Sequence, residues 1–102
     1  MSKTELVSVA AQVLANEMDP LEGCRWIVRH QSALSEEERL DPSFVRLVGI
    51  ESETDQFAMR VARQNWDAQA LAEQDVRRAE YLRRVQLDLL EACRLIIEKF
   101  ST

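Results

Sequence analysis

Chain breakers are scarce here. Two glycines and two prolines among 102 residues are too few to punctuate the many short strands of a sandwich or barrel. Gly23 and Gly49 stand alone, so no glycine-rich loop is present to cradle a phosphate. The single histidine, His30, and the two cysteines, Cys24 and Cys93, make a poor set of metal ligands, and Cys24 and His30 fall on different helical faces. The alternating run Glu51-Ser52-Glu53-Thr54-Asp55 lacks the glycine and closing glutamate of a calcium loop, and reads as capping and solvation. No metal and no cofactor are expected.

Long hydrophobic runs are missing as well. No segment approaches the roughly 20 apolar residues that span a bilayer. The opening stretch MSKTELVSVAAQVLANE interrupts its apolar residues at helical spacing, unlike the core of a signal peptide. A cytoplasmic location is the expectation, with Cys24 and Cys93 as reduced thiols in apolar stripes; a Cys24–Cys93 disulfide is the alternative. Neither thiol has a base beside it, which argues against nucleophilic catalysis. A basic surplus is absent too. With 18 acidic against 13 basic side chains the net charge is −5, the wrong sign for a chain whose main task is nucleic-acid binding. Most of the acid lies early, since residues 1–66 hold 11 acidic and 7 basic side chains.

What the chain does contain is helix-forming. Hydrophobic residues make up 46% and charged residues 30%, a globular balance in which alanine, leucine, glutamate, arginine and glutamine dominate. The expectation is one all-α domain over residues 1–102, a bundle of four to five helices with one long C-terminal helix. Ser2 and Glu5 form a capping-box pattern, and Leu6, Val9, Ala10, Val13 and Leu14 give the first helix an apolar face to about Glu17. Asp19-Pro20 starts a second helix with Leu21, Cys24, Ile27 and Val28 inward. Ser35 to Glu38 can begin a short turn. Asp41-Pro42 then starts a helix through Phe44, Val45, Leu47 and Val48, with Gly49 as its C′ residue; a strand over FVRLVGI would lack a partner. Ile50 to Asp55 reads as an acidic loop, followed by helical spacing at Phe57, Ala58, Val61, Ala62 and Trp66.

Asp67 caps the last helix, which extends to about Lys99. Leu71, Leu82, Val85, Leu89, Cys93, Ile96 and Phe100 share a narrow sector, widened by Ala79, Leu90 and Ile97. Asp75 and Arg78 interrupt that sector and are spaced to pair with each other. Leu87 and Leu95 fall on the charged face. At about 1.5 Å per residue the helix measures roughly 48 Å, whereas a compact domain of this size is roughly 33 Å across. It should overhang its domain or stand in an elongated bundle. A homodimer covering the overhang, with Leu87 and Leu95 in self-association, is the expectation, and an elongated monomer the alternative.

Two surfaces suggest binding. Arg77, Tyr81 and Arg84 share a face, but Glu73 and Glu80 precede the arginines by four residues and neutralise it. Glu36, Glu37, Glu38 and Asp41 form one acidic cluster, and Glu51, Glu53 and Asp55 another. An acidic rim beside Trp66 or Tyr81 suits a basic protein.

The runs Glu22-Gly23-Cys24-Arg25, Asp41-Pro42-x-Phe44, Gly49-Ile50-x-Ser52-Glu53-Thr54-Asp55, Arg63-x-x-Trp66 and Ala70-Leu71-x-x-x-Asp75 resemble a family of short uncharacterised bacterial helical proteins. The Gly49–Asp55 block is the most specific part. Relatives carry Pro and Gly near Phe57–Arg60, where this sequence has neither. The family brings no established activity; the size and acidity resemble those of bacterial immunity proteins that neutralise toxins.

The functional expectation is therefore a non-enzymatic protein-interaction module, an immunity- or antitoxin-like inhibitor of a basic partner. Glu51, Glu53, Asp55, Arg63, Trp66, Asp75, Arg78 and Tyr81 are its candidate partner-binding residues. The alternative is a small regulatory nucleic-acid binder using Arg77, Tyr81 and Arg84. Glu53, Asp55 and Arg63 form the one polar group that would suit an enzyme.

Overall fold

A computed structural model describes residues 2–54 and 67–101. Five α-helices and one 3-10 turn follow one another among them: α1 (Lys3–Leu14), α2 (Pro20–Arg29), the turn Gln31–Ala33, α3 (Glu36–Arg39), α4 (Pro42–Glu53) and α5 (Ala68–Phe100). Short polar side chains set each start by accepting the first orphan N–H groups. Ser2 Oγ accepts from the Glu5 N–H at 3.2 Å, and the Asp19 carboxylate accepts from Glu22 at 2.9 Å, with Pro20 at the first helical position. Ser35 and Glu38 close a reciprocal capping box at 3.1 and 2.8 Å, which lets a four-residue helix form. Asp41 accepts from both the N–H and the hydroxyl of Ser43, and Asp67 accepts from Ala70 at 2.8 Å.

Two helix ends differ from the sequence expectation. Helix α1 stops at Leu14 rather than near Glu17, because Asn16 takes a left-handed conformation with φ 60°. The Glu17 N–H then reaches back to Gln12 O at 2.9 Å and the Asn16 N–H to Val13 O at 3.1 Å, a Schellman closure without glycine. Helix α4, by contrast, passes through Gly49 to Glu53. Gly49 has no positive φ and is not a C′ residue. Burial of Ile50 holds the following turn in helical register, and the Thr54 hydroxyl closes it by donating to Glu51 O at 2.7 Å. Ile50 to Glu53 of the expected acidic loop thus form the last turn of a helix, and Asp55 lies outside the described residues. The expected helix from Phe57 to Trp66 lies outside the described residues.

Helix α5 packs against α1 and α4, with a smaller contact to α2. Leu6 and Val13 of α1, Leu21 and Ile27 of α2, Phe44 and Leu47 of α4, and Leu89 and Ile96 of α5 belong to one buried cluster. The C-terminal half of α5 buries the stripe expected of it: Leu89, Cys93, Ile96 and Phe100. Its N-terminal half is rotated from that stripe. Gln74 and Tyr81 are buried, Leu71 is half-buried and Ala79 exposed, because this half meets the end of α4 through the Tyr81 side.

The molecule measures 45 × 25 × 23 Å. At 33 residues α5 runs about 50 Å, so the helix sets the long axis and the bundle is elongated around it. The ion pairs Arg78–Asp19 and Lys99–Asp41 tie α5, a third of the way along and at its C-terminal end, to the N-caps of α2 and α4. No helix among the described residues is long and apolar enough to cross a membrane.

Candidate functional site

Three of the predicted partner-binding residues, Glu51, Glu53 and Tyr81, meet at the C-terminal end of α4. A helix end exposes carbonyls with no partner inside the helix, and here neighbouring elements supply the donors. The Arg25 guanidinium of α2 donates to Thr54 O at 2.8 Å, placing a cation at the negative end of the helix dipole. Its Nε lies 3.8 Å from the Glu51 carboxylate, which also stands 3.9 Å from Arg29. The Tyr81 hydroxyl approaches both Ile50 O and the Glu53 carboxylate at 3.3 Å. Thr54 and, on α5, Gln74 are also buried. Burial, and then the Glu53 charge, push the Tyr81 phenol up to about 12. These contacts close α4 and lock it onto α2 and α5. The arrangement is a tertiary C-cap.

An aromatic anchor at Tyr81 would have to be exposed, and Tyr81 is instead buried. The residue is 3% exposed, with Arg84 5.7 Å from the ring centre, so it offers no stacking face to a base and no anchor to a protein. The reason is a phase shift: seven residues before Tyr81, Gln74 is buried in the same line. Asp75 is exposed and Arg78 half-buried. Arg78 crosses to Asp19 at the start of α2, so the interruption in the α5 stripe is an interhelical strut. Asp55, Arg63 and Trp66 lie outside the described residues. Leu87 is 84% exposed, whereas Leu95 is half-buried, so the two do not form one exposed seam.

The two acidic clusters stand at opposite ends of α4, about 18 Å apart at 1.5 Å per residue. Part of their charge is taken up within the molecule. Glu38 pairs with Lys3, and Asp41 with Lys99 at 3.1 Å. Glu36 and Glu37 remain exposed on α3, and Glu53 on α4. Between these groups runs an apolar strip: Leu40 is 73% exposed, Val45 50% and Val48 38%. Gly49 continues the strip with open space, since a Cβ there would meet nothing within 4 Å. The signal for this strip was present in the sequence. Phe44, Val45, Leu47 and Val48 are too continuous to face one core, so half of them must face outward.

Both cysteines are buried and free, and Cys24 Sγ donates to Leu47 O at 3.3 Å. Burial pushes each thiol up to about 12. Among the described residues, no three His, Cys, Asp or Glu side chains gather in a metal-binding arrangement. His30 stacks on Trp26 at 3.9 Å between ring centres, with Nδ1 2.6 Å from Trp26 O. No protein-family model, curated protein or solved structure matches the chain.

Proposed function

We infer that this protein is a non-enzymatic interaction module that binds a basic protein partner through the outer face of α4, as an immunity- or antitoxin-like inhibitor would. The observation that carries this reading is the exposed strip Leu40, Val45 and Val48, entered from the acidic turn Glu36-Glu37 and ending near Glu53. Apolar side chains with acidic groups at both ends, and Arg46 exposed at the flank, supply the two parts of an interface: desolvated contact for affinity and steering for on-rate. The net charge of −5 selects partners of opposite sign.

Calorimetric titration against a basic protein encoded beside its gene provides the test. Binding should weaken as salt rises. Val45→Lys together with Val48→Lys should weaken it by about tenfold or more while helicity is unchanged, because an interface core tolerates a like charge poorly. Leu87→Lys, at an exposed position of α5 outside the strip, should leave it unaltered. An absence of binding, or binding indifferent to the α4 variants, removes the proposal.

A further inference from the structure

The solvent face of α5 is charged along most of its length, with Val76 at 59% exposure and Leu87 as its large apolar side chains. Leu87 is 84% exposed, more than any other large apolar side chain among the described residues. Glu80, Arg83, Glu91 and Arg94 surround it, all exposed. At 100° per residue these five positions lie within about 80° of one another, so they form one continuous strip.

Their order is self-complementary. Counting outward from Leu87, four residues back is Arg83 and four forward is Glu91; seven back is Glu80 and seven forward is Arg94. If a second α5 is laid antiparallel across the first, with a two-fold axis at Leu87, Leu87 meets Leu87. Each Arg83 then faces a Glu91, and each Glu80 faces an Arg94. Equal axial offsets of about 6 Å and 10 Å on either side bring every opposite charge into register. A parallel pairing would set Arg83 on Arg83 and Glu91 on Glu91, which is repulsive. Beyond this span the match ends, since Val76 falls against Glu98.

Arg94 is already ordered for the contact. Its guanidinium donates to Glu91 at 2.7 and 3.0 Å and to Glu98 at 3.0 Å within its own helix. Those bonds fix its plane and use three of the five N–H donors an arginine carries. Arg94 is exposed, so two further N–H donors are left for a partner's carboxylate.

We propose that this face of α5 binds a second copy of the chain, as an antiparallel pair centred on Leu87. The contact is small and charged, so it forms a reversible dimer that is sensitive to salt. It uses the Leu87 face of α5, not the Leu40–Val48 strip, and its test is separate from that of the partner-binding reading.

Sedimentation equilibrium over a wide concentration range tests the pairing. The native chain should show a monomer–dimer equilibrium that weakens with salt, and Leu87→Glu should abolish it. Arg83→Glu alone and Glu91→Arg alone should each lose self-association by about tenfold, because like charges then face each other twice. Mixing these two variants should restore it, since both cross-pairs become opposite in sign. Register is read by oxidative crosslinking, with Cys24 and Cys93 buried and out of reach. Arg83→Cys mixed with Glu91→Cys should crosslink faster than either variant alone. A native chain monomeric throughout, association unmoved by Leu87→Glu, failure of the mixture to recover, or faster self-crosslinking would each overturn the proposal. All the substituted positions are exposed, so unchanged circular dichroism verifies the fold.

Discussion

Gly23 and Gly49 are the same residue type in helical conformation, yet they do opposite work. A Cβ on Gly23 would sit 2.3 Å from Val13 Cγ2 and 3.3 Å from Met18 Sδ, so the missing side chain is what lets α1 and α2 approach. Gly23→Ala should destabilise the protein by about 1–3 kcal/mol through overpacking, after the gain in helix propensity. Gly49→Ala meets open space and should stabilise it by about 0.5–1 kcal/mol. Denaturant unfolding of the two variants measures both signs. The cysteines give a second residue-scale prediction. With both thiols buried and raised to about 12, a thiol reagent should label neither in the folded protein and both once it is unfolded. Labelling of the native chain at the unfolded rate would contradict this placement.

Among the elements, α4 is the one most dependent on its neighbours. Its N-cap, Asp41, is bridged to Lys99 at the far end of α5. Burial alone would raise the Asp41 carboxyl, but its bonds to Ser43 and Lys99 hold it below its ordinary 3.8. Glu38, bonded to Lys3 and to Ser35, is likewise held below its ordinary 4.5. A depressed carboxyl stabilises the fold above its unfolded value, and that contribution fades as pH falls through the folded one. Stability should therefore hold near neutral pH and decline below about 4.5. Asp41→Asn keeps the cap but loses the Lys99 attraction. It should cost about 0.5–1 kcal/mol at neutral pH and progressively less in acid, leaving a shallower acid limb in denaturant titrations. At its other end, α4 relies on the Tyr81 hydroxyl. Tyr81→Phe should speed amide exchange in its last turn while leaving α1 protected, at a cost of about 0.5–1.5 kcal/mol.

At the scale of the whole molecule, α5 separates a core side from a solvent side, and two leucines show the difference. Leu89 is fully buried and Leu87 is 84% exposed, although only one residue stands between them. Leu89→Ala should cost about 2–5 kcal/mol and lower the melting temperature by 10 °C or more, since a domain this size moves about 4–8 °C per kcal/mol. Leu87→Ala should stay within about 0.5 kcal/mol in dilute solution. Thermal melts at low concentration distinguish them. The fold was legible in the sequence because helical signals are local. Ser2, Asp19, Ser35, Asp41 and Asp67 mark their caps by residue type, and the 3.6-residue period marks the buried stripe from Leu89 to Phe100. The site was less legible. Whether Tyr81 faces water or Ile50, and whether Arg78 pairs with Asp75 or crosses to Asp19, depends on how two helices are rotated against each other.

The sequence by itself therefore determined the all-helical class, the helix starts, and the long C-terminal helix. Capping and periodicity act within a few residues, so nothing distant is needed to read them. Tertiary structure alone decided that α4 continues past Gly49, that Gln74 and Tyr81 enter the core, and that Glu51 and Glu53 close a helix end. Those outcomes depend on contacts between residues some thirty apart in the chain, as in the pair Tyr81 and Ile50. A helical wheel fixes angles only within one helix; packing fixes the angle between helices, and that angle turned an expected anchor into part of the core.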